Sequence, residues 1–166
     1  MARLDAGTFV PRPEPYPAAD LFRSALESLP LVLEGRTIDV FVSPETPDLL
    51  VDPALAVEIL SNLVENAARA TEPGAPIELK AEPDALDRER VRIWVLDRGP
   101  GVPADVRRAA GGRREASDGS GTGLGLEICR SLARALGGAV VLADRPGGGT
   151  AARLDLPAAK AAGGFG

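Results

Sequence analysis

The stretch SNLVENAARAT, residues 61–71, sets Asn62 and Asn66 four positions apart inside a segment that otherwise reads as helix. Asparagine is a poor helix-interior residue because its short amide competes with the backbone for hydrogen bonds, so a pair of them needs a reason. The helix has a clear start, with Asp52 as N-cap and Pro53 in the first turn, and its pattern runs to Thr71. Ala56, Ile59, Leu60, Leu63 and Ala67 recur at three- and four-residue intervals and form a core-facing stripe. On another face Glu58, Asn62 and Asn66 follow at i, i+4 and i+8, drifting about 40° per step, so a carboxylate and two amides line one side. Such a side either faces water or presents uncharged oxygens to a hydrated hard cation. Magnesium keeps several waters and completes its shell with substrate phosphate oxygens, so one or two protein oxygens suffice.

Outward from this helix, the chain alternates elements without regular strand–helix–strand units. The segment before it, MARLDAGTFVPRPEPYP, ends in four prolines within seven residues and reads as an extended lead-in rather than packed structure. A short amphipathic helix is predicted from about Ala19 to Leu29, with Leu21, Phe22, Ala25 and Leu29 on one side. TIDVFVS, 37–43, alternates as a strand, and DLLVD offers a second short one. After the turn TEPGAP, PIELKA and VRIWVLD read as strands joined by a charged turn. Residues 102–120 are polar, rich in Gly and Arg, and weakly patterned, which suggests a short helix and a mobile loop. A glycine run then opens a helix from Thr122 to about Leu136, and AVVLAD with TAARLDLP form a hairpin around RPGGG. The tail 158–166 is low in complexity and is expected to be disordered. This mixture favours an α/β (α+β) two-layer sandwich with a mixed, largely antiparallel sheet over a doubly wound fold.

Composition limits the function. The 166 residues suit one domain with a real core, 45% of them are hydrophobic, and no apolar run approaches the roughly eighteen residues that cross a bilayer. The start lacks a signal-peptide h-region, so a cytoplasmic location is expected. A net charge of −5 argues against sequence-independent nucleic-acid binding. The single cysteine, Cys129, sits among Leu126, Ile128 and Leu132 and reads as a small buried side chain rather than a reactive thiol. Histidine is absent, which removes the commonest general base and the commonest metal ligand.

Two further motifs carry chemistry. LDRGPG, residues 96–101, places an acid one step past a strand end and two glycines around a proline. A tight turn explains Gly and Pro; equally, Asp97 is well placed to accept a hydrogen bond from an exocyclic amine, with Gly99 and Gly101 letting the backbone approach a flat ring. GSGTGLGLE, residues 119–127, alternates four glycines directly before a helix. It serves either as a flexible hinge or as a phosphate cradle, the helix start offering unpaired N–H groups and a positive dipole end. It matches neither the P-loop nor the dinucleotide fingerprint.

In order and spacing, NLVENA, DRGPG and GTGLGL resemble the N, G1 and G2 boxes of the ATP-binding catalytic domain of sensor histidine kinases, within the superfamily that also holds gyrase, heat-shock chaperone and mismatch-repair ATPases. RPGGGTAARLDLP is similar to that domain's closing hairpin, and residues 1–18 to the end of a dimerisation helix and its linker, leaving 19–157 as the catalytic domain. The resemblance implies a mixed sheet with three helices over one face and a nucleotide between helices and a lid. It implies a cytoplasmic kinase fragment, with room for a parent protein anchored in the inner membrane.

By the same resemblance Asn66 is the principal magnesium ligand, Asn62 supports metal or phosphates, and Arg69 contacts phosphate. Asp97 reads the adenine amine beside Gly99 and Gly101; Gly121, Thr122, Gly123, Leu124 and Gly125 wrap the phosphates; Thr150 supports Asp97 or a water near the base. The implied cofactors are ATP and Mg2+. The implied partners are a dimerisation domain carrying the acceptor histidine and a response regulator downstream, the fragment itself being monomeric. Three departures stand out. Ala70 replaces a common aromatic residue. The stretch between Gly101 and Gly119 has no phenylalanine but carries Arg107, Arg108, Arg113 and Arg114, either phosphate contacts or a solvated basic loop. Glu58 stands where other polar residues are usual. A serine kinase of the same fold, or a nucleotide-responsive interaction module with an inactive lid, are the competing readings.

Overall fold

The computed structural model describes residues 10–101 and 122–160. Among the described residues two layers form: a five-stranded sheet and three helices on one face. The sheet consists of β2 (Ile38–Val42), β4 (Ile77–Pro83), β5 (Arg90–Leu96), β7 (Thr150–Pro157) and β6 (Ala139–Asp144), in that spatial order. β2 runs parallel to β4 and every other neighbouring pair is antiparallel. The register aligns Leu79, Val95 and Ala152 in one row and Ala81, Ile93, Leu154 and Val140 in the next, all buried, so alternate residues of each strand face the helices. The opposite face carries Lys80, Glu82, Arg92, Trp94, Arg153 and Asp155: Lys80 pairs with Glu82, Arg153 with Asp155 and Arg92 with Asp84 just beyond β4, while the Trp94 indole donates to Glu82 at 2.9 Å.

The helices are α1 (Ala18–Glu27), α2 (Pro53–Ala70) and α3 (Thr122–Ala135). α2 is the central one. Asp52 accepts from the Ala54 amide at 3.1 Å as its N-cap and Pro53 occupies the first turn, where a missing N–H costs nothing. Its buried set, Leu55, Ala56, Ile59, Leu60, Leu63, Val64, Ala67 and Ala68, is wider than the predicted stripe because α2 packs against both α1 and α3 as well as the sheet. At its C-terminus Arg36 donates to the Ala68 carbonyl at 3.1 Å, in the last turn where the helix leaves carbonyls open, and to the Thr71 hydroxyl at 2.7 Å.

Two expectations change. The proline-rich lead-in is extended, but it is packed: β1 (Glu14–Tyr16) pairs antiparallel with β3 (Leu49–Val51) in a separate two-stranded ribbon. Proline is tolerated in an edge strand whose outward side needs no ladder donor, so the prolines did not exclude pairing. Ala158 and Ala159, which fall in the tail expected to be disordered, are tied to the fold. Ala158 bridges Leu49 and donates to the Glu89 carbonyl at 2.8 Å, and Ala159 donates to the Asp48 carbonyl at 2.8 Å. Residues 161–166 lie outside the described residues, as do 1–9.

Candidate functional site

The site gathers where β5 ends. Asp97, one residue beyond β5, is 4% exposed and is the only buried charged or polar side chain among the described residues. An ionised carboxylate removed from water costs several kcal/mol unless it is hydrogen-bonded. Here Oδ1 accepts from the Gly99 amide at 2.8 Å and the Thr150 amide at 3.1 Å, while the Asp97 amide donates to the Thr150 carbonyl at 3.0 Å. Among the described residues no donor reaches Oδ2. One carboxylate oxygen is therefore fixed by the backbone.

The glycines around Asp97 permit close backbone approach. A Cβ at Gly99 would lie 2.6 Å from the Ala70 carbonyl oxygen, so the turn after β5 is pressed onto the C-terminus of α2. Gly149, with φ +111°, packs so tightly that a Cβ there would collide with the Asp97 carbonyl oxygen. Gly101 also has positive φ and faces Asp144. Beside this turn a cleft of about 430 Å³ opens between Arg69–Pro73 and Arg98–Pro100. The larger groove, about 1080 Å³, lies at the other end of the sheet by the β4–β5 turn and Ala158–Lys160, and gathers none of the expected site residues.

On α2 the polar face is half-buried. Asn62 Nδ2 donates to the Glu58 carbonyl at 3.1 Å, which turns its amide oxygen outward from that bond, and Asn66 Oδ1 accepts from Arg69 at 3.2 Å. The described residues contain no cluster of three or more His, Cys, Asp or Glu side chains able to hold a metal. A cation on this face would take the hard amide oxygens of Asn66 and Asn62 together with phosphate oxygens, a donor set that suits magnesium. Ala70 follows one turn after Asn66, so the contact between Ala70 and Gly99 joins the amide face to the Asp97 turn.

The third motif is only partly visible. Thr122, Gly123, Leu124 and Gly125 open α3; Gly121 and the arginines at 107, 108, 113 and 114 lie outside the described residues. Further along α3, Cys129 is fully buried, its thiol donating to the Ile59 carbonyl at 3.7 Å. Burial, with a smaller push from Glu58, raises this thiol to about 12, which fits the structural reading of the cysteine. Arg130 Nε is buried without a hydrogen-bond partner, a cation that the sequence reading did not single out.

The β6–β7 turn supplies residues that sequence reasoning missed. Arg145 pairs with Glu78 at 2.6 Å and reaches the Asp97 carbonyl oxygen at 3.4 Å; Arg98 donates to the Gly148 carbonyl at 3.1 Å. Their signal was present in RPGGG, where three consecutive glycines exceed what a hairpin turn needs.

Residues 51–160 match the family model described as histidine kinase-, DNA gyrase B- and HSP90-like ATPase. The chain belongs to this family. Within it, the chain is of the kind found as the ATP-binding catalytic domain of sensor histidine kinases. It is 34% identical to virulence sensor protein BvgS of Bordetella bronchiseptica, over 94% of this chain and 13% of that protein. It is 33% identical to sensor protein KdpD of Escherichia coli, over 95% of this chain and 18% of that protein. The chain thus spans less than a fifth of either relative. Among solved structures, full-length ShkA in complex with AMPPNP superposes with a TM-score of 0.77 at 34% identity, over 96% of this chain and 34% of that one. The mycobacterial sensor histidine kinase MprB gives 0.72 at 26% identity, over 89% and 98%. The sandwich of this histidine kinase-like ATPase is therefore the one expected from its three motifs. Among the described residues, no helix is long and apolar enough to cross a membrane.

Proposed function

We propose that this domain binds ATP with magnesium and delivers the γ-phosphoryl group to a histidine on a separate dimerisation domain, from which a response regulator takes it. The observation that carries the reading is Asp97: a buried carboxylate with one oxygen held by two backbone amides, in a turn whose next residues, Arg98–Pro100, line the cleft. Its other oxygen would accept from the adenine exocyclic amine, while Gly99 and Gly101 border the ring. Asn66, Asn62 and Arg69 would contact the phosphates from α2, and Thr122–Gly125 from the start of α3, with Gly121, outside the described residues, completing the motif. Asn66, supported by Asn62, would hold magnesium, which would supply charge neutralisation for the phosphates.

The protein's work in such a reaction is positioning and charge stabilisation. The bond between γ-phosphorus and the β–γ bridging oxygen breaks, ADP departs, and a phosphorus–nitrogen bond forms on the acceptor imidazole, which releases its proton. The acceptor lies outside these 166 residues, which include no histidine. Residues 1–18 would then carry the link from the dimerisation helix, with β1 fastening that link to the domain.

Mixing the chain with the dimerisation domain of its parent kinase and γ-labelled ATP tests the reading. An acid-labile, base-stable label on the partner is expected. An acid-stable ester would indicate transfer to serine, and ATP binding without any label would indicate a nucleotide-responsive module; either result overturns histidine transfer.

A further inference from the structure

The β6–β7 turn meets the base-reading carboxylate from behind. The Thr150 amide holds Asp97 Oδ1, Gly149 packs against the Asp97 carbonyl, and Arg145 donates to that same carbonyl oxygen. The Arg145 side chain is only 10% exposed, and its other guanidinium nitrogen is anchored by Glu78 at 2.6 Å. Glu78 on β4 stands opposite Leu96, the last residue of β5, so the anchor sits one residue from the point where Asp97 leaves the sheet. The turn is closed on itself by the Arg145 amide on the Gly149 carbonyl at 2.8 Å and the Gly148 amide on the Arg145 carbonyl at 2.9 Å.

We infer that Arg145 is a positioning residue for adenine recognition: held by Glu78, it fixes the peptide that follows Asp97 and thereby the direction of the Asp97 carboxylate. The inference rests on Asp97 accepting from the adenine amine. With the Asp97 amide bound to the Thr150 carbonyl and its carbonyl bound to Arg145, the peptide groups on both sides of the residue are restrained. The side chain can then hold Oδ1 on its two amide donors and keep Oδ2 aimed at one place. Without the guanidinium the carbonyl loses a donor, and the turn can rotate the carboxylate away from the base.

The test compares ATP with purine riboside triphosphate, which lacks the exocyclic amine, by competition binding to wild type, R145Q, E78Q and E78R/R145E, with thermal unfolding alongside. Wild type should favour ATP by about tenfold or more, as expected for a hydrogen bond to a charged group. In R145Q the preference should narrow to roughly threefold or less while the affinity for purine riboside triphosphate holds, since only the amine contact is lost. E78Q keeps a carbonyl acceptor for Arg145 and should keep the preference. The exchanged pair E78R/R145E restores the ion pair, and with it the unfolding midpoint, but places no donor at the Asp97 carbonyl, so its preference should stay narrow. Should R145Q fail to fold, R145K serves instead: its single ammonium can satisfy Glu78 or the carbonyl but not both, so an intermediate preference is expected. An unchanged preference in R145Q or R145K, equal losses for both nucleotides, or a preference restored by the exchanged pair would leave Arg145 merely structural and overturn the inference. Equal affinities in wild type would remove amine reading by Asp97 itself, and the inference with it.

Discussion

The Asp97 turn and the amide face of α2 border the same site but are built in different ways. Around Asp97 the constraints are backbone ones: two amides on one carboxylate oxygen, and two glycines packed where no side chain fits. On α2 the candidate ligands are half-exposed side-chain amides, and Asn66 Oδ1 accepts from Arg69, whose guanidinium must yield or share that oxygen when a cation binds. On the proposed function, base recognition would be preorganised, whereas metal and phosphate recognition would be completed by the ligand. Preorganised groups spend little binding energy on ordering, and flexible ones spend more.

Disrupting the rigid side should have the largest effect. Gly149→Ala places a methyl group against the Asp97 carbonyl at a positive φ, and should lower stability by about 2–4 kcal/mol in urea unfolding while abolishing nucleotide binding. A milder loss, within about 0.5 kcal/mol, would mean that the turn yields easily and the contrast is false. Next comes Asp97→Asn. It retains an acceptor for the two amides but can turn a donor toward the base, so ATP affinity should fall roughly tenfold to a hundredfold and GTP affinity should rise. Unaltered nucleotide preference would end the role of Asp97.

On the adaptable side, Asn66→Ala should weaken magnesium-dependent nucleotide binding in calorimetry while changing stability by only about 0.5 kcal/mol, because the residue is half-exposed and Ala is the better helix former. Loss of binding without magnesium as well would place Asn66 in the rigid part of the site. The smallest effect concerns Cys129, outside both regions. Its folded thiol is raised from 9.0 to about 12, so folding favours the protonated form. The stability this contributes is complete below about pH 9 and is lost as pH rises through about 12. Near neutral pH a thiol reagent should label the protein only after unfolding.

The same division explains what the sequence made legible. α2 and its polar face were readable because helical period, N-cap and Pro53 are local signals, and the three glycine and asparagine motifs carry their spacing with them. Asp97 was readable as an acceptor at a strand end. Its clamp was not: Arg145 and Gly149 reach it only through the pairing of β5 with β7, about fifty residues away along the chain, which no local pattern encodes. The β1–β3 ribbon was hidden for a related reason, since proline-rich extended chain looks the same whether or not a neighbour pairs with it. The continuation of β7 through Ala158 and Ala159 depends on partners at Leu49, Asp48 and Glu89, which low-complexity sequence does not announce.

The contrast between a preset base site and a ligand-completed phosphate site meets its most direct test in calorimetric titration of the wild-type chain with ADP and GDP, each with magnesium and with EDTA. Removing magnesium should weaken both nucleotides while leaving the preference for ADP over GDP unchanged, because that preference resides in Asp97 and its backbone clamp. A preference that vanishes together with the metal, or no preference under either condition, would contradict it.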